Sequence, residues 1–305
     1  MSRYLGHALT ILVASSCAVG TAWAQLPAVA VAPAAATPAA HTSNAPKPDA
    51  ARAQVLRTAQ ERLATGDDPA VRAALATLSE LGSDAAADSV SARLHRGLPP
   101  QLIEPAIDAL VLLNRPSAAP ALLELTQYRR APIRASAVAA LGALHARTAQ
   151  SALLYALDDP SSEVRAAAAL ALMTVGNARA LPALWAAADR GVEHALQTIG
   201  SLATPADLKS ILARAREADI TPIKPVLQGM MGRKSFATSG KLAVIHALEK
   251  LGSASARACL VEWLDAWKTE GDPALRKALF DAIKRLDAGH APIKLESVPT
   301  KGGKP

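Results

Sequence analysis

Cysteine and aromatic side chains are scarce in this sequence: two cysteines, two phenylalanines and three tyrosines among 305 residues. Cys17 falls in an N-terminal apolar stretch that reads as a removable leader, so the processed chain keeps Cys259 alone and can close no internal disulfide, even in an oxidising compartment. Cys259 lies in RACLVEWL, which reads as a helix, and a lone thiol there reads as buried and inert. The seven histidines lie far apart, none at His-x-x-x-His spacing, and no cysteine pair exists, so no metal constellation is expected. No Gly-x-Ser-x-Gly occurs, which excludes a nucleophile elbow. The stretch GRKSFATSGK at 232–241 has the outline of a phosphate-binding loop, but Ser235 stands where the first glycine belongs and Leu242 where Ser or Thr must follow the lysine. Paired carboxylates, Asp67-Asp68 and Asp158-Asp159, stand at helix starts, where capping accounts for them. No catalytic residue, metal or cofactor is expected from these patterns.

What the chain has in abundance is alanine and leucine at helical spacing. Residues 158–188, DDPSSEVRAAAALALMTVGNARALPALWAAAD, read as one helical hairpin. Asp159 can cap the first helix, and Pro160 suits its first position. Val164, Ala168, Ala171, Leu172 and Val175 make one apolar face. Gly176-Asn177 breaks the helix, and Leu181, Leu184, Trp185 and Ala188 form the stripe of the next one. Subtracting 31 repeats the register: Val164 gives Ile133 and Leu102, Ala168 gives Ala137 and Ala106, Leu172 gives Leu141 and Leu110, and Leu184 gives Leu153 and Leu122. A whole register recurring at one period means tandem repeats, hence an all-α solenoid of antiparallel helix pairs.

These residues resemble the HEAT-like repeat family, in the short form also seen in phycobilisome bilin lyases, whose pattern is D-P-x-V-R-x-x-A-x-x-A-L-G. Asp68-Pro69-Ala70-Val71-Arg72, Asp159-Pro160 with Val164-Arg165, Asp272-Pro273-Ala274-Leu275-Arg276 and Ala140-Leu141-Gly142 carry the likeness. The resemblance implies a right-handed superhelix, with Arg72, Arg134, Arg165 and Arg276 stacking with aspartates as a structural ladder. It implies a binding scaffold more than an enzyme, because the shared motif builds the scaffold and carries no lyase chemistry. Di-iron hydroxylases of this family use repeated His-Glu pairs, and this chain holds only the reversed Glu193-His194.

The N-terminus has a different character. Arg3 and His7 precede an apolar run over 8–19, and Ala22-Trp23-Ala24 follows as a small-x-small site, the layout of a secretory signal cleaved after Ala24. A lipoprotein cut before Cys17 is a lesser alternative, since the preceding Ala14-Ser15-Ser16 lacks the usual leucine. The expected location is periplasmic or secreted, with no later stretch long enough to span a bilayer. Formal net charge is +7, or +6 without Arg3, and the cations are spread along helices instead of forming runs. For an exported chain that leaves an acidic partner or the anionic envelope, not nucleic acid. Residues 25–50 are Pro/Ala-rich and read as a linker, and 289–305 as a flexible tail.

Within 51–288 the spacing predicts a terminal helix at 51–65 and pairs at 68–95, 99–128, 131–157, 160–188 and 191–216. Then the period breaks. Ile199 finds its next match at Leu248, 49 residues on, which marks 217–238 as an insert before a sixth pair at 239–268 and a last helix at 272–287. The insert carries helix breakers together with Met230, Met231, Arg233, Lys234 and Phe236. It reads either as chain packed on the solenoid or as an adaptable partner-binding surface that orders on contact. Trp263 and Trp267, four apart on one helix, share a face and are core residues or partner anchors. The expected function is an exported, non-catalytic scaffold for a protein partner. A binder of anionic envelope polymer or lipid headgroup is the alternative, and a lyase-like enzyme the remote one.

Overall fold

The structure, a computed structural model, describes residues 48–215, 217–267 and 272–288, all within one compact unit, Pro46–Pro305. The leader with Cys17, the linker up to residue 47 and the tail from 289 lie outside the described residues. The described chain is all-α. Helix α1 (Pro48–Thr65) begins inside the stretch expected to be linker. Seven antiparallel hairpins follow: α2 (Asp68–Leu81) with α3 (Asp84–His95), α4 (Pro100–Leu113) with α5 (Ala119–Leu125), α6 (Ala131–Ala143) with α7 (Gln150–Ala156), α8 (Ser162–Val175) with α9 (Leu181–Asp189), α10 (Ala195–Leu202) with α11 (Leu208–Leu212), α12 (Lys224–Gly232) with α13 (Thr238–Leu251), and α14 (Ala254–Ala266) with α15 (Pro273–Ala288). The first helix of each pair packs on the first helix of the next through α12, and each second helix packs on the first helix that follows in all but one of the joints, so the hairpins stack as a solenoid of two layers. Helix α1 lies against both α2 and α3 and covers the end of the stack.

Local chemistry sets the helix ends. The Asp67 carboxylate accepts the Ala70 N–H at 3.0 Å and starts α2, and Gly82, at φ 62°, stops it in a left-handed turn. Asp159 behaves differently from the expected cap. Helix α8 starts at Ser162, and Asp159 instead accepts the Ser161 N–H at 2.8 Å and grips Arg134 through two bonds of 2.7 and 2.8 Å. Of the expected arginine ladder, Arg134–Asp159 is thus a true rung, while Arg165 donates to the Asp159 and Pro160 carbonyls and Arg72 to the Gln101 carbonyl.

The core follows the repeat register and corrects it after α10. Leu110, Leu141, Leu172 and Ile199 are fully buried at equivalent positions. Met230, 31 residues beyond Ile199, is equally buried, as is Val226, 31 beyond Ala195. Residues 217–238 are therefore no insert. Helix α12 occupies the next place in the first layer, against α10, and α13 joins it as the second helix of that repeat. Lys224 and Gln228 on α12 bond Glu262 on α14 at 2.5 and 3.2 Å, and α13 packs on α15, so the last hairpin is α14–α15; the helices expected at 239–268 and 272–287 are present as α13, α14 and α15, one step out of phase with the layers. The apparent break arose from matching Ile199, in the first layer, to Leu248, in the second.

Gly229, one of the helix breakers of the 217–238 stretch, is a contact residue against Gly200 of α10. A β-carbon on Gly200 would stand 2.5 Å from the Val226 carbonyl oxygen and 3.0 Å from the Gly229 Cα, so α10 and α12 touch backbone to backbone. The same approach, with the same 29-residue offset, joins Gly142 of α6 to Ala171 of α8, where the added carbon would stand 2.8 Å from the alanine Cα. Pro225 falls in the first turn of α12, where a missing N–H leaves no bond unmade.

Carbonyls at helix C-termini lack partners within their own helix. Here side chains from the following repeat supply them. Arg93 donates to Leu63 O at the end of α1, Arg115 to Gly82 O after α2, Thr174 to Gly142 O in the last turn of α6, and Arg190 to Leu157 O after α7. Arg233 donates to Ser201 O and Ala203 O at the end of α10. A cation at that end of a helix also suits its dipole.

Candidate partner-binding surface

The residues singled out from the sequence divide sharply. Met230, Met231 and Phe236 are buried, so they belong to the core, and the adaptable-surface reading of these three is corrected. Met230 and Met231 are buried on α12 as part of the continuous core, where a repeat needs apolar volume. Phe236 packs beside Gly240 and Pro205, where α13 meets the turn ahead of α11. Arg233 lies over the Phe236 ring at 4.9 Å with its guanidinium committed to the two α10 carbonyls, and burial pulls its pKa below the usual arginine value. Lys234 alone of this group is exposed. Trp263 is buried in the core, and Trp267 is half-buried with the Lys241 ammonium 5.8 Å above its ring. The two tryptophans therefore form no exposed anchor pair. Cys259 is buried, and that burial pushes its thiol up to about 11, which leaves almost no thiolate at neutral pH.

A different surface is open. On α7, Leu153 and Ala156 turn inward, and Tyr155 between them points away, 70% exposed and with no hydrogen bond to its hydroxyl among the described residues. One repeat on, the half-buried Trp185 of α9 lies in line with Leu154 and Leu123, so the second layer carries a partly open apolar stripe across α5, α7 and α9. Arg214 stacks on Trp185 at 4.1 Å and bonds Asp189 at 3.0 Å, which fixes both the ring and the cation. Neighbouring second-layer helices are tied at their C-terminal ends by His95–Glu124 at 2.7 Å, Asp158–Arg190 at 2.5 Å and Asp189–Arg214. Each exposed pair contributes at most about 1 kcal/mol. Asp158–Arg190 ties the end of α7, which carries Tyr155, to the end of α9. Register with α7's inward residues would have marked Tyr155 from the sequence; attention to rare residue types led elsewhere.

Among the described residues no group of three or more His, Cys, Asp or Glu side chains converges as a metal site, and no helix is long and apolar enough to cross a membrane. No curated protein matches the chain in sequence. Among solved structures, human deoxyhypusine hydroxylase in complex with glycerol is similar at 17% identity, over 78% of this chain and 98% of that one, with a TM-score of 0.37. An engineered protein is similar at 18% identity, over 77% and 97%, with a TM-score of 0.36. Residues 119–203, from the start of α5 to the end of α10, match the family model described as HEAT repeats. That match, set in an all-α stack of helical hairpins, identifies residues 119–203 as HEAT-like repeats within the solenoid.

Proposed function

We propose that this chain is an exported, non-catalytic scaffold that holds a protein partner against its second-layer face at Tyr155, Trp185 and Arg214. The exposed Tyr155, its hydroxyl unbonded, one repeat before the arginine-stacked Trp185 is the observation that carries the reading. Tyrosine, tryptophan and arginine are the residue types enriched at interface hot spots, because they offer large contact area with a polar handle and little entropy to lose. HEAT repeats suit the role, since a stack of hairpins presents a long, stiff face. Export rests on the pattern from Arg3 to Ala24, and native protein should begin at Gln25 when its N-terminus is sequenced.

Site-specific photocross-linking in intact cells tests the interface. A photoreactive residue at position 155 should give a discrete adduct, which Trp185→Ala and Arg214→Ala weaken. The same residue at Ala139, exposed on the first layer, should give none. Equal adducts from both positions, or an adduct indifferent to Trp185 and Arg214, would refute the assignment.

A further inference from the structure

A second surface lies on the edge where first-layer helices turn into second-layer helices. The chain holds no Asp or Glu between residues 125 and 157, nor between 164 and 188. Two of the turns on this edge, α6 to α7 and α8 to α9, therefore contain no carboxylate of their own. Each carries an exposed arginine at its 3-10 turn, Arg147 and Arg179, and neither guanidinium makes a hydrogen bond or ion pair among the described residues. The two turns are held together by a reciprocal amide pair: Asn177 Nδ2 donates to Gln150 Oε1 at 2.9 Å, and Gln150 Nε2 to Asn177 Oδ1 at 3.4 Å. Asn177 Oδ1 also takes the Arg179 N–H at 2.9 Å. Thus the backbone beneath both free guanidinium groups is fixed. The basic pair is bounded along the edge. Arg115, in the preceding turn, is already bound to Asp84 and to Gly82 O, and the following turn closes on its own Thr204–Asp207 bond.

We propose that this edge docks an extended acidic polypeptide segment, Arg147 and Arg179 each taking one carboxylate. Guanidinium is a planar fork that matches a carboxylate with two bonds. The two arginines stand one helix-packing step apart, roughly 8–10 Å. In a polyproline-type extended chain, residues three apart lie on the same side, separated by about 9 Å. The ligand is therefore an extended segment with Asp or Glu at positions i and i+3. A lipid surface is disfavoured, because none of the exposed large hydrophobic side chains among the described residues (Val55, Leu112, Tyr155, Leu170 and Phe280) lies in these turns to enter a bilayer. The one ring in these turns is the His145 imidazole, with no Trp, Tyr or Phe beside it to build a stacking platform for nucleic-acid bases.

Fluorescence anisotropy with a labelled Pro/Ser peptide carrying aspartates three residues apart tests this. The double variant R147Q/R179Q should weaken binding roughly five- to thirtyfold, the loss expected for two exposed charge pairs. A control that removes two other exposed cations, R62Q/K250Q, should change it less than about twofold. Charge reversal, R147E/R179E, should transfer binding to the same peptide with arginines in place of aspartates. Equal weakening by the control variant, or no weakening by R147Q/R179Q, would overturn the proposal. So would phosphatidylglycerol vesicles that bind through Arg147 and Arg179 while the peptide does not.

Discussion

Replacing Gly200 with alanine should destabilise the protein, although the same change in an ordinary helix stabilises. In a helix interior alanine is favoured over glycine by about 0.8–1.0 kcal/mol. At Gly200 the new β-carbon would stand 2.5 Å from the Val226 carbonyl oxygen and 3.0 Å from the Gly229 Cα. Both neighbours are backbone, so no rotamer change relieves the contact. Helices α10 and α12 must part by roughly 0.5–1 Å, and a gap of that size forfeits a quarter to a half of the dispersion well of each facing atom pair. Overpacking of this kind costs about 1–3 kcal/mol. Because backbone is struck on both sides, the upper end applies, and subtracting the propensity gain leaves a net loss of about 2 kcal/mol. Gly232, at the end of α12, supplies the contrast: nothing lies within 4 Å of its added carbon, so Gly232→Ala should stabilise by up to about 1 kcal/mol. Urea titrations give both midpoints, with hydrogen exchange across 195–232 to place the loss, since a solenoid can open locally. A Gly200→Ala variant as stable as the parent would mean that α10 and α12 do not meet there, and the case for 217–238 as a repeat would fall with it.

Two further changes probe the core and the ion pairs. Met230→Ala should cost about 2–5 kcal/mol in the same titration, as a buried first-layer residue does, whereas a surface residue would move the midpoint hardly at all. Arg134 hydrogen bonds hold the Asp159 carboxyl below its ordinary pKa. Its contribution is therefore full above the unfolded value near ~3.9 and is lost as pH falls through the lower folded one. Asp159→Asn should cost about 1–3 kcal/mol at neutral pH, a penalty that shrinks in acid melts below about pH 4. A penalty unchanged with pH would refute the pair's role.

The solenoid and its hairpins from α2 to α9 were legible because leucine and alanine recur there at fixed positions, and a register needs nothing else. Legibility failed at α12, where the repeat uses different residues for the same tasks. Met230 stands in the place of leucine, and Gly229 makes the close approach that Ala171 makes on α8. Pro225, Gly229 and Gly232 then looked like a loop. Adding 31 to Ala195 and Ile199 would have found Val226 and Met230. Tyr155 was missed for a related reason: nothing about its type is unusual, and only its direction relative to Leu153 and Ala156 exposes it. The free pair on the turn edge depends on which arginines are already bonded, and that is a property of contacts between repeats.

The side chains that satisfy helix C-termini run mostly one way along the chain. Arg93, Arg115, Thr174, Arg190 and Arg233 reach back to carbonyls of earlier helices, while Arg52 of α1 reaches forward to Leu81 O. A chain made from its N-terminus thus presents each newly formed helix with bare carbonyls until the next repeat emerges. Completion arrives from behind, about thirty residues late, and at synthesis rates of ≈ 5–20 residues per second that delay lasts seconds. A chain cut after α10 would hold every residue of its own repeats and still leave that helix unfinished, because the arginine that closes it has not yet been made.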